Sequence, residues 1–312
     1  MEMQIQTPPA LYQTRFGEVI TSINAALDHY LDPQQEAFAP ARGLWEAMRY
    51  STLNGGKRIR SVLAIETCLA LGGKQENILP TACAIELVHA QSLIHDDLPC
   101  MDNDDLRRGK PTLHKAFDEA TAVLAGDALI AMAFGLIARH TPTDRDFAAG
   151  TLTAVMSNFS DVVSVHGLVN GQYVDIRYEG KAYDKTVLEY IHSCKTGALF
   201  SFSTRAGAIL SCAEPKTIET LTQFGKKIGL AFQIVDDLLD IESTSEALGK
   251  TAGKDQTQKK ATYPALFGIE ASHQTADTLL AEADALLDTL TLPGHQLERL
   301  RILARFIGQR AS

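Results

Sequence analysis

Aspartates concentrate at one point of the chain, directly behind an apolar stretch with helical periodicity. The C-terminal end of a helix carries a partial negative charge, so carboxylates in its last turn are disfavoured unless a cation lies there. Oxygen ligands suit a hard divalent cation such as Mg²⁺. Leu98 precedes a proline, so we expect the chain to bend here and bring Asp102 back toward Asp96. The acidic residues of this stretch are Asp96, Asp97, Asp102, Asp104 and Asp105.

A second acidic group lies far along the chain, in residues 232–240. Gln233, Asp236 and Asp240 follow one another at intervals of three and four residues, so on a helix they share one face. If the two acidic groups face each other across the fold, they could hold several Mg²⁺ ions against one diphosphate.

Basic residues that could bind the phosphates stand near the first group and at a glycine turn. Arg107 and Arg108 follow the first acidic group, and Lys57 and Arg60 lie on one face of a helix start that follows two glycines. Such a turn offers backbone N–H groups and the positive end of the helix to an anion. Because glycine-rich turns are common, these residues alone fit a diphosphate site and an ordinary turn with solvated cations equally well.

Other polar residues admit both a functional and a structural interpretation. His89 lies seven residues before Asp96, two turns along the same helical stripe, where a hydrogen-bonded core histidine is the commoner outcome. Lys195 stands in an apolar run, where it either points inward to an anion or extends to the surface. Gln172 and Asp175 could line a polar patch or cap a bend.

The elements that must position these residues are helices. Helical periodicity runs through almost the whole chain and strand-like alternation is nearly absent, which predicts an all-α fold. No linker divides residues 1–312, so we expect one domain of about ten or more mostly antiparallel helices around a central cavity. The polar, lysine-rich segment 243–260 is expected to be a mobile lid. The predicted helices are 14–30, 41–53, 58–71, 80–97, 118–139, 144–165, 168–178, 185–210, 215–241, 263–287 and 296–308.

Composition excludes several classes of protein. The 312 residues carry a net charge of −9 and 45% are hydrophobic, which suits a globular core and argues against a nucleic-acid partner. Five scattered cysteines and an N-terminus unlike a signal peptide favour a reducing compartment, with the cytoplasm as the default. Asp127 interrupts the most apolar run, residues 121–138, so we expect a packed internal helix and no membrane span.

Taken together, these motifs resemble those of the trans-prenyl diphosphate synthases of the farnesyl and geranylgeranyl type. Residues 96–102, DDLPCMD, resemble the first aspartate-rich motif of that family in its form with two extra residues, and residues 236–240, DDLLD, resemble the second. The GGKRIR segment, KTG at residues 195–197 and LGK at residues 248–250 match in the same order. The resemblance spans residues 46–310.

The resemblance implies an isoprenoid synthase fold, a homodimer and a Mg²⁺-dependent prenyltransferase that uses more than one ion per site. Such an enzyme condenses isopentenyl diphosphate with dimethylallyl, geranyl or farnesyl diphosphate by ionisation, condensation and proton loss. Mg²⁺ would bind Asp96, Asp102 and Asp236, supported by Asp97 and Asp240. The allylic diphosphate would contact Arg107, Lys195, Thr196, Gln233 and Lys250, and isopentenyl diphosphate would contact Lys57, Arg60, His89 and Arg108. The implied catalytic residues are Asp96, Asp102, Arg107, Lys195 and Asp236.

Product length is expected to depend on the depth of the cavity. In the family, an aromatic residue five positions before the first aspartate often closes the cavity and favours farnesyl diphosphate. Gln91 occupies that position here, which favours geranylgeranyl diphosphate. Met132 and Phe134 on the neighbouring helix are the alternative floor residues.

Three other functions are weighed against this one. A class I terpene cyclase carries a first aspartate motif, but its second metal motif mixes Asn, Ser and Glu, unlike DDLLD. A metal-dependent phosphohydrolase could use His89, His95 and Asp96, yet would usually place more histidines at metal spacing. A non-catalytic helical partner subunit would be expected to lack one aspartate motif, and this chain has both.

Overall fold

In a computed structural model of the chain, residues 8–142, 147, 150–242 and 260–309 are described. The fold of these residues is all-α, as predicted. The α-helices are α1 (Pro8–Tyr30), α2 (Arg42–Thr52), α3 (Ile59–Ala70), α4 (Gln75–Asp96), α5 (Leu113–Ala116), α6 (Glu119–His140), α7 (Thr151–Val163), α8 (Leu168–Tyr178), α9 (Lys185–Ile191), α10 (Ala198–Leu210), α11 (Pro215–Glu242), α12 (Tyr263–Phe267), α13 (Ile269–Asp288) and α14 (Gly294–Gly308).

Shorter elements connect these helices. A π-helix, His192–Gly197, joins α9 to α10, and 3₁₀ turns at Pro33–Gln35 and Ala39–Ala41 lie between α1 and α2. The strands β1 (Leu106–Arg107) and β2 (Lys110–Pro111) pair antiparallel directly after the first acidic stretch.

The core lies where α3, α4, α10 and α11 pack together. Every residue of α10 except Arg205 is buried, and α10 contacts α3 on one side and α11 on another. α4 packs mainly against α6 and α3. A helix that is surrounded in this way needs apolar or small residues on all faces, which is why α10 lacks a polar stripe. The two acidic groups therefore belong to central helices.

A buried ion pair links α3 to α4 beneath the glycine turn. The Arg58 guanidinium donates to Glu86 at 2.9 Å and to the Thr52 carbonyl at 2.8 Å, and the Ser61 hydroxyl donates to Glu86 at 2.5 Å. Arg58 adopts a positive φ of 55° at this point. Removing one partner of such a pair costs about 3–5 kcal/mol, so the pair fixes the turn that precedes Arg60.

Several helix boundaries differ from the prediction. α4 begins at Gln75, and Pro80 lies inside it, because burial of Ile78 outweighs the helix-breaking tendency of proline. Gly268, with φ of 85°, separates α12 from α13, which were predicted as one helix. The predicted lid lies outside the described residues except for Lys260.

α6 has one exposed face. It is the helix of the described residues whose length and apolar composition would allow it to cross a membrane, and 39% of its most apolar window is buried. The predicted internal packing holds for the face toward α2 and α4. On the other face, Val123 and Leu124 are exposed.

Candidate active site

The two acidic groups face the same cavity. Its main part, of about 650 Å³, has an apolar wall that includes Leu168, Ile176 and Phe232. A narrower polar part, of about 220 Å³, adjoins it at the acidic end. Six residues line both parts: Asp96, Arg107, Lys195, Thr196, Gln233 and Asp236. The cavity thus has a charged end and an apolar end.

The first acidic stretch folds back on itself after α4, as the proline predicted. The Asp102 backbone N–H donates to the Asp96 carbonyl at 2.8 Å, and both side chains line the polar part of the cavity. Asp97 points elsewhere, since it is buried against Arg107 in a close ion pair and lines neither part. Burial raises the pKa of Asp97 to about 6, although Arg107 opposes that shift.

The second acidic group is a regular turn of α11. Asp236 lines both parts of the cavity, whereas Asp240 is buried and lines neither. Gln233 lies on the cavity side, where it accepts a hydrogen bond from the Thr196 hydroxyl at 2.6 Å. Of the three DDLLD carboxylates, Asp236 therefore lines both parts of the cavity, Asp237 lines only the polar part and Asp240 lines neither.

The π-helix places Lys195 and Thr196 between the two acidic groups. Lys195 Nζ lies 2.8 Å from an Asp175 oxygen and 3.5 Å from an Asp96 oxygen. Burial works against its charge, but Asp96 and Asp175 raise the pKa of Lys195 above its usual value. Gly171 of α8 allows this packing, because a Cβ there would collide with the Lys195 backbone nitrogen. π-Helical turns occur often at functional sites.

A basic group lines the main part of the cavity and not the polar part. Its members are Arg60, His89 and Arg108. Burial and the neighbouring guanidinium groups, that of Arg60 first, lower the pKa of His89 well below its usual value. Gly56, with φ of 111°, lies against the Arg108 guanidinium and leaves no room there for a Cβ. Lys57 lies nearby with Nζ 5.4 Å from the centre of the Phe306 ring, outside the cavity lining.

Of three further residues at the charged end, the sequence patterns did not predict one and left the roles of the other two undecided. Lys260 Nζ donates to Asp102 at 2.8 Å, although the polar segment before it gave no sign of this contact. Gln172 donates to Asp96, and Asp175 pairs with Lys195. Their three-residue spacing on α8 was the only signal for these two. Lys250 lies outside the described residues.

The donor set fits Mg²⁺ that is shared with a phosphate ligand. Among the described residues, no three Asp, Glu, His or Cys side chains lie close enough to hold an ion by themselves. Mg²⁺ is usually bound through one or two carboxylates and substrate phosphates, which matches Asp96, Asp102 and Asp236 around one polar cavity. These three residues could contribute carboxylate oxygens from two sides.

Gln91 and His95 also line the main part of the cavity. Gln91 Nε2 lies 3.1 Å from His95 Nδ1, and His95 Nε2 lies 3.3 Å from the Val123 carbonyl of α6. The His95 ring rests on Gly126, where a Cβ would collide with it. The alternative floor residues, Met132 and Phe134, do not line the cavity, and residues of α8, α10 and α11 contribute to its apolar wall.

Comparison with known proteins places this geometry in a family. The polyprenyl synthetase family model matches residues 42–286. The chain is 46% identical over 291 residues to a heterodimeric geranylgeranyl pyrophosphate synthase large subunit of Arabidopsis thaliana, covering 92% of this chain and 76% of that protein.

Two solved structures share the whole fold. An FPP/GFPP synthase of Zymomonas mobilis has a TM-score of 0.82 at 37% identity, over 95% of this chain and 98% of that chain. A geranyltransferase of Helicobacter pylori, solved with magnesium and isoprenyl diphosphate, has a TM-score of 0.81 at 32% identity, over 97% and 98%.

Proposed function

The chain belongs to the polyprenyl synthetase family, and from this premise we propose that it joins isopentenyl diphosphate to an allylic diphosphate to make geranylgeranyl diphosphate. It is a prenyltransferase of short-chain prenyl diphosphate synthesis, as its relatives are. Within that activity, we propose which allylic substrates the protein uses and how long its product is.

One observation carries the proposal: Asp96 and Asp236 line one cavity with a charged end and an apolar end. An allylic diphosphate has the same division, with phosphates at one end and a hydrocarbon tail at the other. Lys195 and Arg107 flank the carboxylates, so the charged end carries both the ligands for Mg²⁺ and the donors for phosphate oxygens.

The proposed site residues have separate roles. Asp96, Asp102 and Asp236 would hold Mg²⁺, with more than one ion per site and with Asp97 and Asp240 in support. When bound, Mg²⁺ would stabilise the negative charge that develops on the departing diphosphate. Arg107, Lys195, Thr196, Gln233 and Lys250 would contact the same diphosphate as the allylic carbon–oxygen bond breaks.

The second substrate would lie on the basic side. Lys57, Arg60, His89 and Arg108 would hold isopentenyl diphosphate so that its double bond attacks the allylic cation. No side chain in the described cavity stands out as a dedicated base, so the released diphosphate is proposed to take the proton. The apolar walls exclude water, which would otherwise capture the cation.

Product length is proposed from the end of the cavity. Gln91 is not aromatic, and its amide points to His95 rather than across the cavity, which supports a tail longer than fifteen carbons. The test is to incubate the protein with Mg²⁺, isopentenyl diphosphate and dimethylallyl, geranyl or farnesyl diphosphate in turn, and to size the dephosphorylated products. Extension of farnesyl diphosphate to a twenty-carbon product is expected. If farnesyl diphosphate is not extended, geranylgeranyl diphosphate is not the product.

A homodimer in a reducing compartment is proposed as the working form. The exposed apolar residues Val123 and Leu124 of α6 would be covered by a second copy of the chain. All five cysteines lie in the described part of the chain and none forms a disulfide, which fits the cytoplasm. Leu124→Arg should shift the mass measured by light scattering toward one subunit. An unchanged dimer would place the interface elsewhere.

A further inference from the structure

The middle aspartate of DDLLD, Asp237, is occupied by contacts to the protein. Its Oδ1 accepts a hydrogen bond from Gln233 Nε2 at 3.0 Å, and its Oδ2 accepts one from the Tyr263 backbone N–H at 3.0 Å. His192 Nε2 lies 3.5 Å from the same Oδ2. Asp237 is 3% exposed, so these contacts take the place of water.

The backbone that Asp237 binds carries Lys260. Tyr263 follows Lys260 by three residues, and Lys260 Nζ reaches across the cavity to Asp102 at 2.8 Å. Between them, Thr262 N–H donates to the Tyr183 hydroxyl at 3.1 Å. The Asp237 contact therefore fixes this short segment to α11, at the point where it enters α12.

Asp237 also reaches the π-helix by two routes. His192 begins the π-helix and lies directly beside Asp237. Gln233, which donates to Asp237, accepts the hydroxyl hydrogen bond of Thr196. One buried carboxylate thus joins the elements that carry Lys260, Thr196 and Gln233, all of which line the polar part of the cavity.

We infer that Asp237 is a positioning residue rather than a magnesium ligand, and that it acts by holding Lys260 and Thr196 at the diphosphate end of the cavity. This inference rests on the proposed function. Both Asp237 oxygens already accept a hydrogen bond from the protein, so a metal on either one would have to share it with the Tyr263 N–H or the Gln233 amide. Asp236 and Asp237 both line the polar part of the cavity, and Asp236 alone of the two also lines the main part.

The first experiment separates positioning from metal binding. Asp237→Asn can keep the network, because its carbonyl oxygen can accept from Tyr263 and a rotated Gln233 amide can pair with its NH₂ group. We expect Asp237→Asn to keep kcat/KM within about 5-fold of wild type. Asp237→Ala should lose about 10²-fold through misplaced side chains. The Mg²⁺ concentration for half-maximal activity should stay the same in both variants.

Asp236→Asn is the matched control, since it should raise that Mg²⁺ concentration. If Asp237→Asn raises it as much as Asp236→Asn does, Asp237 is a metal ligand and the inference is wrong. Wild-type activity is measured in the same series. A wild type that makes no prenyl product would instead refute the proposed function.

A second measurement needs neither substrate nor metal. Hydrogen exchange followed by mass spectrometry should show faster exchange, by about 10-fold or more, in the peptide covering residues 260–267 of Asp237→Ala. Asp236→Ala, with the same loss of a carboxylate on the same helix, should leave that peptide unchanged. Equal exchange in wild type and Asp237→Ala would overturn the inference. Far-ultraviolet circular dichroism checks that both variants are folded.

A double-mutant cycle tests whether Asp237 acts through Lys260. The combined loss in Asp237→Ala with Lys260→Met should be smaller than the product of the two single losses, by about 3-fold or more. Lys227 is the control lysine, because it lies on α11 ten residues before Asp237 and pairs with Glu282. Its replacement by Met should combine with Asp237→Ala independently. If the activity losses of Asp237→Ala and Lys260→Met also combine independently, the inference is contradicted.

Discussion

The two acidic groups consist of similar residues but are built differently. The first begins with Asp96 at the end of α4 and continues in a loop that turns back, so Asp96 and Asp102 both reach the polar part of the cavity. The second lies within a regular helix, α11, where successive residues are rotated by about 100°. Asp236 faces the cavity in full, while Asp240, on the same side of the helix but about 6 Å farther along its axis, is buried outside the cavity lining.

The difference shows how the same side chain acquires different tasks. A loop can direct several carboxylates to one point, whereas a helix directs only those that share a face. Other carboxylates bind protein groups: Asp97 pairs with Arg107 outside the cavity lining, and Asp237, which lines the polar part, accepts from the Tyr263 backbone. The aspartate motifs therefore contain both cavity-facing carboxylates, which we propose as metal ligands, and carboxylates that are held by protein groups.

Replacing the cavity-facing carboxylate of either group tests whether the two sides act together. Asp96→Ala and Asp236→Ala should each lower kcat by about 10³-fold, because each removes charge that would hold Mg²⁺ against the diphosphate. Turnover is measured with geranyl and isopentenyl diphosphates, and circular dichroism checks the fold. Asp161→Ala, an exposed aspartate of α7, is the control and should have wild-type activity. A near-normal rate in either cavity variant would show that its wall does not hold the metal.

The outer aspartates of the two groups provide the sharpest contrast. Asp102→Asn should lower kcat/KM by about 10²-fold and raise the Mg²⁺ requirement, because Asp102 lines the polar cavity. Asp240→Asn should change the Mg²⁺ requirement much less, since Asp240 is buried outside the cavity lining. Rates measured across a range of Mg²⁺ concentrations give both values. An equal rise in the Mg²⁺ requirement of Asp102→Asn and Asp240→Asn would mean that Asp240 does contact the metal.

The π-helix joins the two groups, and its two polar residues can be tested separately. Lys195→Met removes the cation beside Asp96 and should lower kcat/KM by about 10²-fold. Thr196→Val removes one hydrogen bond to Gln233 and should cost about 0.5–1.5 kcal/mol, or up to about 10-fold. Steady-state kinetics with varied geranyl diphosphate measures both losses. A larger loss for Thr196→Val would mean that the second group depends more on this helix than the first does.

Local patterns predicted the helices and the central role of both acidic groups. The proline after Leu98 predicted the turn that brings Asp102 to Asp96, because its effect is confined to neighbouring residues. Periodicity on α11 placed Gln233 and Asp236 on the same side. The same periodicity could not show that Asp240 lies outside the cavity. Residues at three- and four-residue intervals form a stripe along the helix, and only part of that stripe meets the cavity.

Contacts between distant segments could not be predicted in this way. Lys260 meets Asp102 across 158 residues, and Gln172 meets Asp96 across 76. The π-helix was also missed, because one extra residue in a helical turn leaves the periodicity of a small-residue segment almost unchanged. Pro80 was predicted to start a helix that begins five residues earlier, since packing of its first turn is a tertiary effect.

The smallest expected effect concerns the apolar end of the cavity. α4 carries both Asp96 of the first acidic group and Gln91, the proposed floor residue. Gln91 and Asp96 are five residues apart on this helix, about 7.5 Å along its axis, so a bulky side chain at Gln91 should limit the tail without disturbing the carboxylates. Gln91→Tyr should therefore shorten the main product with little loss of total turnover, measured by chromatography of the dephosphorylated prenols. Gln91→Leu, which removes the amide at similar volume, should keep the product length. Gln91 contacts His95, and His95 rests on Gly126 of α6. An unchanged product in Gln91→Tyr would mean that the new tyrosine ring moves aside. In that case α8 or α6 sets the floor of the cavity.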